Sequence, residues 1–229
     1  MQSNAKETFD MPKGKKQLHF LITAGGTREY IDPVRFISNA SSGKMGYALA
    51  DAAIKAGHKV VLISASDLQP PVGADFVGVE TTEQMFEAVK KFFPKCDCLI
   101  MAAAVSDYTP AKSSKTKIKK GKRALTLKLK PTPDILEWAG KKNIKYQKSN
   151  IKNKILVGFA LEDKNLKANA EKKMKDKNLD LIVANTPSSI GEEVTSAYIK
   201  TPSKPWQKFS SVSKESLANK IISIINRKL

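Results

Sequence analysis

Arg28, Arg35, Asn39, Ser41, Ser42, Gly43 and Lys44 fall within one stretch, LITAGGTREYIDPVRFISNASSGKMGYALADAAIKAG, at residues 21–57. Fixed cations, a neutral carboxamide, short hydroxyls and glycine are the groups that bind anions. An apolar run opens the stretch and an alanine-rich helical pattern closes it. A strand that delivers a polar loop onto a helix N-terminus creates an anion site, because unpaired N–H groups and the positive helix end converge there. Phosphate oxygens suit such a place, so Ser41, Ser42, Gly43 and Lys44 are expected to meet phosphate. Four shorter motifs follow: AAAVSDY at 102–108, KIKK at 117–120, PTPDIL at 131–136 and GFALE at 158–162.

These groups need a scaffold, and the pattern around them supplies one. Buried-strand runs at 19–23, 59–64, 98–103, 155–159 and 179–184 alternate with helical segments at 43–56, 81–93 and 163–177, the alternation of an α/β sheet. Thr81 and Gln84 form a capping box for the second helix. Cys96 and Cys98 flank Asp97 at a strand entrance, and CxC alone is a poor zinc signature, so both read as structural. The alternation breaks at 106–123, a lysine-dominated stretch too long for an ordinary connection. After it, 124–130 (ALTLKLK) places Leu125, Leu127 and Leu129 on one face of an expected strand. Pro133 is expected to start a helix. Short β-type runs such as 197–200 precede a terminal amphipathic helix opened by Ser213. The expected fold class is α/β: a modified Rossmann-like sheet with helices on both faces and a mid-chain β excursion. Residues 1–17 read as a flexible tail or linker and 18–229 as one domain.

Bulk properties narrow the function classes. The 229 residues are 41% hydrophobic, enough for a substantial core, and no apolar run approaches the roughly 20 residues of a membrane span. No secretory signal is evident and cysteine is scarce, which points to the cytoplasm. The net charge of +18 could serve nucleic acid, but lysine is spread along the whole chain and aromatic residues make up only 7%, so base-stacking platforms are not evident. Polyanionic small substrates fit this field better, and neither nucleic acid nor membrane is an expected partner.

Two familiar phosphate motifs fail residue by residue. A Walker loop needs glycine near position 38 and Ser or Thr after the lysine, where Ser38 and Met45 stand. The dinucleotide fingerprint needs a tight glycine turn after the first strand, but Gly25–Gly26 and Gly43 are separated by a long insert. The combination actually present, TAGGTRE, DPVRFISN, SSGKMG, AAAVSDY, KIKK, PTPDIL and GFALE in this order, closely resembles the phosphopantothenoylcysteine synthetases of coenzyme A biosynthesis. The resemblance runs from about Gly14 to Asn185 and arguably to the C-terminus.

The resemblance implies a homodimer in which the β excursion exchanges contacts, and a ligase. Phosphopantothenate attacks the α-phosphate of a nucleoside triphosphate, pyrophosphate leaves, and the amine of L-cysteine displaces the nucleoside monophosphate. The wording TREYIDPVR and GFALE resembles bacterial members, which use CTP, so an acyl-CMP intermediate is implied, with Mg²⁺ arriving on the nucleotide rather than in a protein metal cage. Asn39 then orients the activated carbonyl and Arg35 meets phosphopantothenate. Ala104 lies at the substrates, with Met101, Ala102 and Ala103 on the nucleotide side. Asp107 faces a ribose hydroxyl or the metal. Lys117 is the catalytic lysine that closes over the triphosphate. Thr132, Pro133, Asp134, Ile135, Phe159, Lys173 and Lys177 complete the nucleotide set. Asp163 stands where bacterial relatives often carry threonine. The flavin-binding decarboxylase half that many of them carry upstream is not found in the sequence, so FMN is not expected, and a separate or upstream decarboxylase is an expected partner. A nicotinamide-dependent reductase on the same sheet and a basic nucleic-acid-binding module are the competing readings.

Overall fold

The computed structural model describes residues 16–122, 124–149 and 151–227. The expected 1–17 tail therefore lies, apart from its last two residues, outside the described residues.

Apolar runs with period-two or continuous hydrophobicity form the strands, and each parallel step needs a helical crossover. In chain order the elements are β1 (His19–Ala24), β2 (Arg28–Tyr30), β3 (Phe36–Ser38), α1 (Lys44–Lys55), β4 (Lys59–Ser64), β5 (Ala74–Gly78) and α2 (Thr82–Phe92). Next come β6 (Cys98–Met101), β7 (Tyr108–Pro110), β8 (Leu129–Pro131), α3 (Ile135–Lys148), β9 (Ile155–Leu161), α4 (Leu166–Asp176) and β10 (Leu181–Asn185). The chain closes with β11 (Val194–Thr201), β12 (Lys204–Ser213) and α5 (Lys214–Asn226).

Eight strands form the main sheet in the order β12-β11-β10-β9-β6-β1-β4-β5. From β10 to β5 all neighbours are parallel, and β11 and β12 return antiparallel. Numbered among themselves, the six parallel strands run 3-2-1-4-5-6, the Rossmann order, whose switch point lies between β1 and β6. The expected modified Rossmann-like sheet is thus the observed one. Helices cover both faces. Phe20, Ile22 and Ala24 pack with α1 and α5, whereas Leu21, Ile63 and Leu99 pack with α2, α3 and α4. Cys96 and Cys98 are buried free thiols, and burial pushes Cys96 up to about 12. Neither forms the thiolate that reactivity requires, which agrees with a structural role.

Several local expectations hold and others need correction. Thr81 and Gln84 form the full capping box, and Ser213 caps α5. The helix expected from Pro133 instead starts at Ile135, because the Asp134 carboxylate accepts from the Glu137 N–H and acts as the cap. The helix placed at 163–177 is Leu166–Asp176. The strand expected at 124–130 pairs only over Leu129–Pro131, with β7. Its would-be neighbour is turned away, since Ser114 N–H donates to the Ile31 carbonyl and Ile118 N–H to Asp32. Leu125, Leu127 and Leu129 consequently stay exposed. The β2–β3 hairpin, edge strand β5 and the full β11–β12 hairpin were not foreseen.

Candidate functional site

The carboxyl ends of the parallel strands, the starts of α1 and α3 and the chain after β10 enclose a cleft of about 690 Å³. It sits at the switch point, where an open α/β sheet leaves a crevice. A backbone bridge between Gly26 and Ala104 extends the β1–β6 neighbourhood past the strands and carries Ala104 to the cleft wall. Every residue nominated from the sequence lines this cleft except Arg35, Lys117 and Arg28, the last of which pairs with Asp67 at 2.6 Å.

The loop that leads into α1 is built from local conformation. Gly43 adopts φ 79°, a left-handed geometry that glycine tolerates, and this turns the chain into α1. No side chain caps α1; the nearest hydroxyls, Ser41 and Ser42, accept only long bonds of 3.4 and 3.5 Å from the Gly43 and Lys44 N–H groups. A helix start satisfied this weakly is available to an anion. Lys44 pairs with the exposed carboxylate of Glu193 and donates to the Gly191 carbonyl at 3.4 Å.

Asn39 precedes the loop. Its Nδ2 donates to the carbonyls of Val105 and Ala104 at 3.0 and 3.3 Å. Two carbonyl neighbours require the NH₂ end there, so the carboxamide oxygen has no hydrogen-bond partner among the described residues. The Ala104–Val105 backbone that receives it is itself held by a polar cluster. Thr27 and Thr82 hydroxyls meet at 2.9 Å, Ser106 N–H donates to the Thr27 hydroxyl at 2.8 Å, and the Thr132 hydroxyl donates to the Ser106 carbonyl at 2.6 Å. Buried polar groups satisfied in this way fix a backbone path. The cluster ties Asp107 to the PTPDIL turn, where Thr132 N–H donates to the Asp107 carbonyl at 3.0 Å.

Opposite α1, the α4 lysines enter the cleft. Lys173 donates to the Phe159 carbonyl at 2.8 Å; burial, with Lys177 adding repulsion, pulls its ammonium down from the ordinary lysine value. Lys177 bonds Asp134 at 2.5 Å. Burial alone pushes Asp134 upward, but Lys177 and the Glu137 N–H outweigh it and hold the carboxyl below its ordinary value.

Arg35 and Lys117 belong to a separate assembly. Asp32 has a fully buried side chain that accepts from Arg35 Nη2 at 2.5 Å, Arg35 Nε at 3.0 Å and Ile118 N–H at 3.1 Å. Arg35 Nη2 also donates to the Ile118 carbonyl at 2.6 Å. Burial raises the Asp32 carboxyl, but Arg35 and the N–H groups of Ile118, Val34 and Arg35 overwhelm that effect and hold it far below the usual range. The guanidinium therefore anchors the KIKK segment, and the adjoining Lys117 is exposed.

Glu162, Asn185, Ser189, Gly191, Thr195 and Lys214 also line the cleft and were missed from the sequence. Lys214 carries no distinguishing signal in so lysine-rich a chain. Thr27 and Glu29, inside TAGGTRE, were legible as polar residues at the end of a buried strand. Among the described residues no three His, Cys, Asp or Glu side chains gather to hold a metal ion, and no helix is long and apolar enough to cross a membrane. Asp107 is an exposed carboxylate on the cleft wall.

Comparison with known proteins gives a consistent family. The family model described as DNA/pantothenate metabolism flavoprotein C-terminal domain matches residues 15–229. A relative from Bacillus subtilis (strain 168), the coenzyme A biosynthesis bifunctional protein CoaBC, is 47% identical over 82% of this chain and 44% of its own length. The protein of the same name from Borreliella burgdorferi is 36% identical over 94% of this chain and 53% of its own. The chain thus spans about half the length of these curated relatives. A crystal structure of the C-terminal domain of a coenzyme A biosynthesis bifunctional protein CoaBC superposes with TM-score 0.77 at 33% identity, covering 94% of this chain and 95% of that one.

Proposed function

We infer, from the fact that this chain belongs to the family of the DNA/pantothenate metabolism flavoprotein C-terminal domain, that its cleft joins phosphopantothenate to L-cysteine through an acyl-CMP intermediate made from CTP. The observation that carries this reading is the meeting, in one cleft, of a weakly satisfied helix start with Lys44, the anchored carboxamide of Asn39, and Lys173 with Lys177.

The chemistry requires this combination. A carboxylate resists attack by an amine until one oxygen becomes a leaving group. Activation brings two anions together, so fixed positive charge must oppose their repulsion and stabilise what develops in the transition state. The α1 start, Ser41, Ser42 and Lys44 receive phosphates. Asp134, Thr132 and Phe159 bound the rest of the nucleotide. Asn39 offers an uncharged acceptor, which can take a hydrogen bond from the incoming amine without trapping its proton. Small Ala103 and Ala104 let substrate approach the backbone. Asp107 would hold a magnesium ion arriving with CTP, which would supply charge neutralisation.

Arg35 and Lys117, outside the cleft, act through the excursion. The reading places them at the junction of a homodimer, where the exposed leucines of 124–129 find an apolar partner. A decarboxylase, on another chain or in a neighbouring domain, supplies the next step.

The test is pyrophosphate release with phosphopantothenate, run with CTP and with ATP, with and without cysteine. CTP-dependent release with phosphopantothenate, and amide with CMP once cysteine is added, is the expected result. Tight NADPH binding with no response to CTP would instead make the chain a reductase, and sedimentation as a monomer at working concentration would remove the dimer.

A further inference from the structure

The two cationic ends of the cleft differ in how far the chain satisfies its own groups. At the end of α4, Lys177 is paired with Asp134, and on the helix Lys173 donates to a carbonyl. At the other end Lys214, the first residue of α5, donates its backbone N–H to the Glu193 carbonyl at 3.2 Å, while its ammonium makes no hydrogen bond or ion pair among the described residues. Nearby, the Thr195 hydroxyl on β11 is enclosed, the residue being 5% exposed. Among the described residues it is the single buried side-chain polar atom with no hydrogen-bond partner. Both residues line the cleft together with Lys44. A buried hydroxyl without a partner is destabilising, and its retention on a cleft wall points to a partner supplied from outside.

Strand direction explains why these groups converge. Two antiparallel steps, β10 to β11 and β11 to β12, make β12 run parallel to β1. Helix α5 therefore leaves the sheet at the same carboxyl edge as α1. The two helices pack against each other on one face, and both direct their positive ends toward that edge. The opposing charges are Glu192 and Glu193, both exposed. Glu193, paired with Lys44 at the rim, is 78% exposed, and such a pair is weak and screened. An anion with several charges displaces it.

We propose that Lys214 and Thr195, together with Lys44, form the subsite for the terminal phosphates of the nucleotide. The assignment rests on the nucleotide reading of the cleft and extends it. A triphosphate concentrates its charge on the two phosphates farthest from the ribose, and this end holds the donors that the chain leaves unmatched. Lys214 Nζ and the Thr195 hydroxyl donate to phosphate oxygens, and Lys44 exchanges Glu193 for the ligand.

Calorimetric titration of the full chain with CTP, CMP, inorganic pyrophosphate and phosphopantothenate tests this. Lys214→Ala is expected to weaken CTP and pyrophosphate roughly tenfold, the scale of one charge-assisted hydrogen bond, while CMP and phosphopantothenate bind as before. Lys214→Arg restores most of the loss. Thr195→Val weakens pyrophosphate about threefold with an unchanged or higher Tm, because no bond within the chain is lost. A lowered Tm would reveal an internal partner for that hydroxyl and remove Thr195 from the subsite. Wild-type affinities for CTP and pyrophosphate in both Lys214→Ala and Thr195→Val would overturn the subsite and leave the nucleotide reading intact. Loss confined to phosphopantothenate would overturn the assignment to the nucleotide. Pyrophosphate binding that depends on Lys214, in a protein that never binds CTP, would sink the nucleotide reading and keep the anion subsite.

Discussion

Side chains of the cleft hang from the ends of β6, β9 and β10, whose backbones are paired on both sides, whereas Arg35 and Lys117 depend on one buried carboxylate, Asp32. In the first region geometry comes from the sheet. Asn39 is located by the carbonyls of Ala104 and Val105, and those by the Thr27–Thr82–Ser106 cluster. In the second, two short strands of three residues each, β7 and β8, carry an excursion with exposed leucines. Pre-organisation is therefore uneven. Binding groups are held in place within one chain, while the segment with Lys117 is tethered at Ile118 and otherwise lightly supported. Such low-density elements open locally at small cost.

The contrast can be broken from either side. Asn39→Asp is the most severe change: it replaces the NH₂ that two carbonyls require with a carboxylate and sets negative charge beside two incoming anions. Pyrophosphate release should fall by about a hundredfold or more, because a fixed like charge at the reacting centre opposes the negative charge that gathers there. A near-normal rate would show that the cleft is not the reacting centre.

Next is Gly140→Ala. A Cβ there would lie 2.2 Å from the Lys177 carbonyl oxygen, so α3 must move away from the end of α4. Overpacking costs about 1–3 kcal/mol and outweighs the ~1 kcal/mol that alanine returns in helix propensity. The expected outcome is a lowered Tm together with weaker CTP binding, since Lys177 shifts. A stability unchanged by the substitution would mean that the two helices are not rigidly docked.

The excursion should behave differently. Asp32→Asn removes the charge that holds Arg35 and Ile118. Limited proteolysis between 111 and 128 should accelerate roughly tenfold, with little change in the global Tm. Acid does the same to the wild type. Because the folded carboxyl is held below its unfolded value, its contribution is complete above about pH 4 and fades as pH falls toward the folded value. Cleavage of the wild type should therefore rise below about pH 4, and Asp32→Asn should be indifferent to pH over that range. The smallest effect belongs to the partly exposed Lys177–Asp134 pair. A double-mutant cycle there should give a coupling of about 0.5–1 kcal/mol in unfolding.

Most of the cleft was legible before the fold was known because its residues sit in contiguous motifs at strand ends, and the same segments carry the hydrophobic pattern that makes the strands. The loop before α1 is the clearest case: Ser41–Lys44 could be placed at a helix start on the sheet's carboxyl edge from the strand before it and the helix after it. Arg35 and Lys117 were read as substrate groups, but their position depends on a partner 83 residues apart in sequence, the Ile118 carbonyl that Arg35 reaches. No local pattern encodes such a contact. Leu125, Leu127 and Leu129 alternate as a strand should, yet only the last is paired, because the segment that would pair with the others is bound to Ile31 and Asp32 instead. Alternation records a preference for the extended chain; pairing requires a neighbour.

By itself the amino-acid sequence determined the strand and helix types, the α1 and α2 starts and the residues that gather at the sheet's carboxyl edge, since these follow from periodicity, capping and turn chemistry acting over a few positions. Only the tertiary structure decided that β12 returns parallel to β1, that α5 therefore opens beside α1, and that Lys214 and Thr195 face the same cleft as Asn39. Those facts depend on strand order and direction, which are settled by packing between segments far apart in the chain.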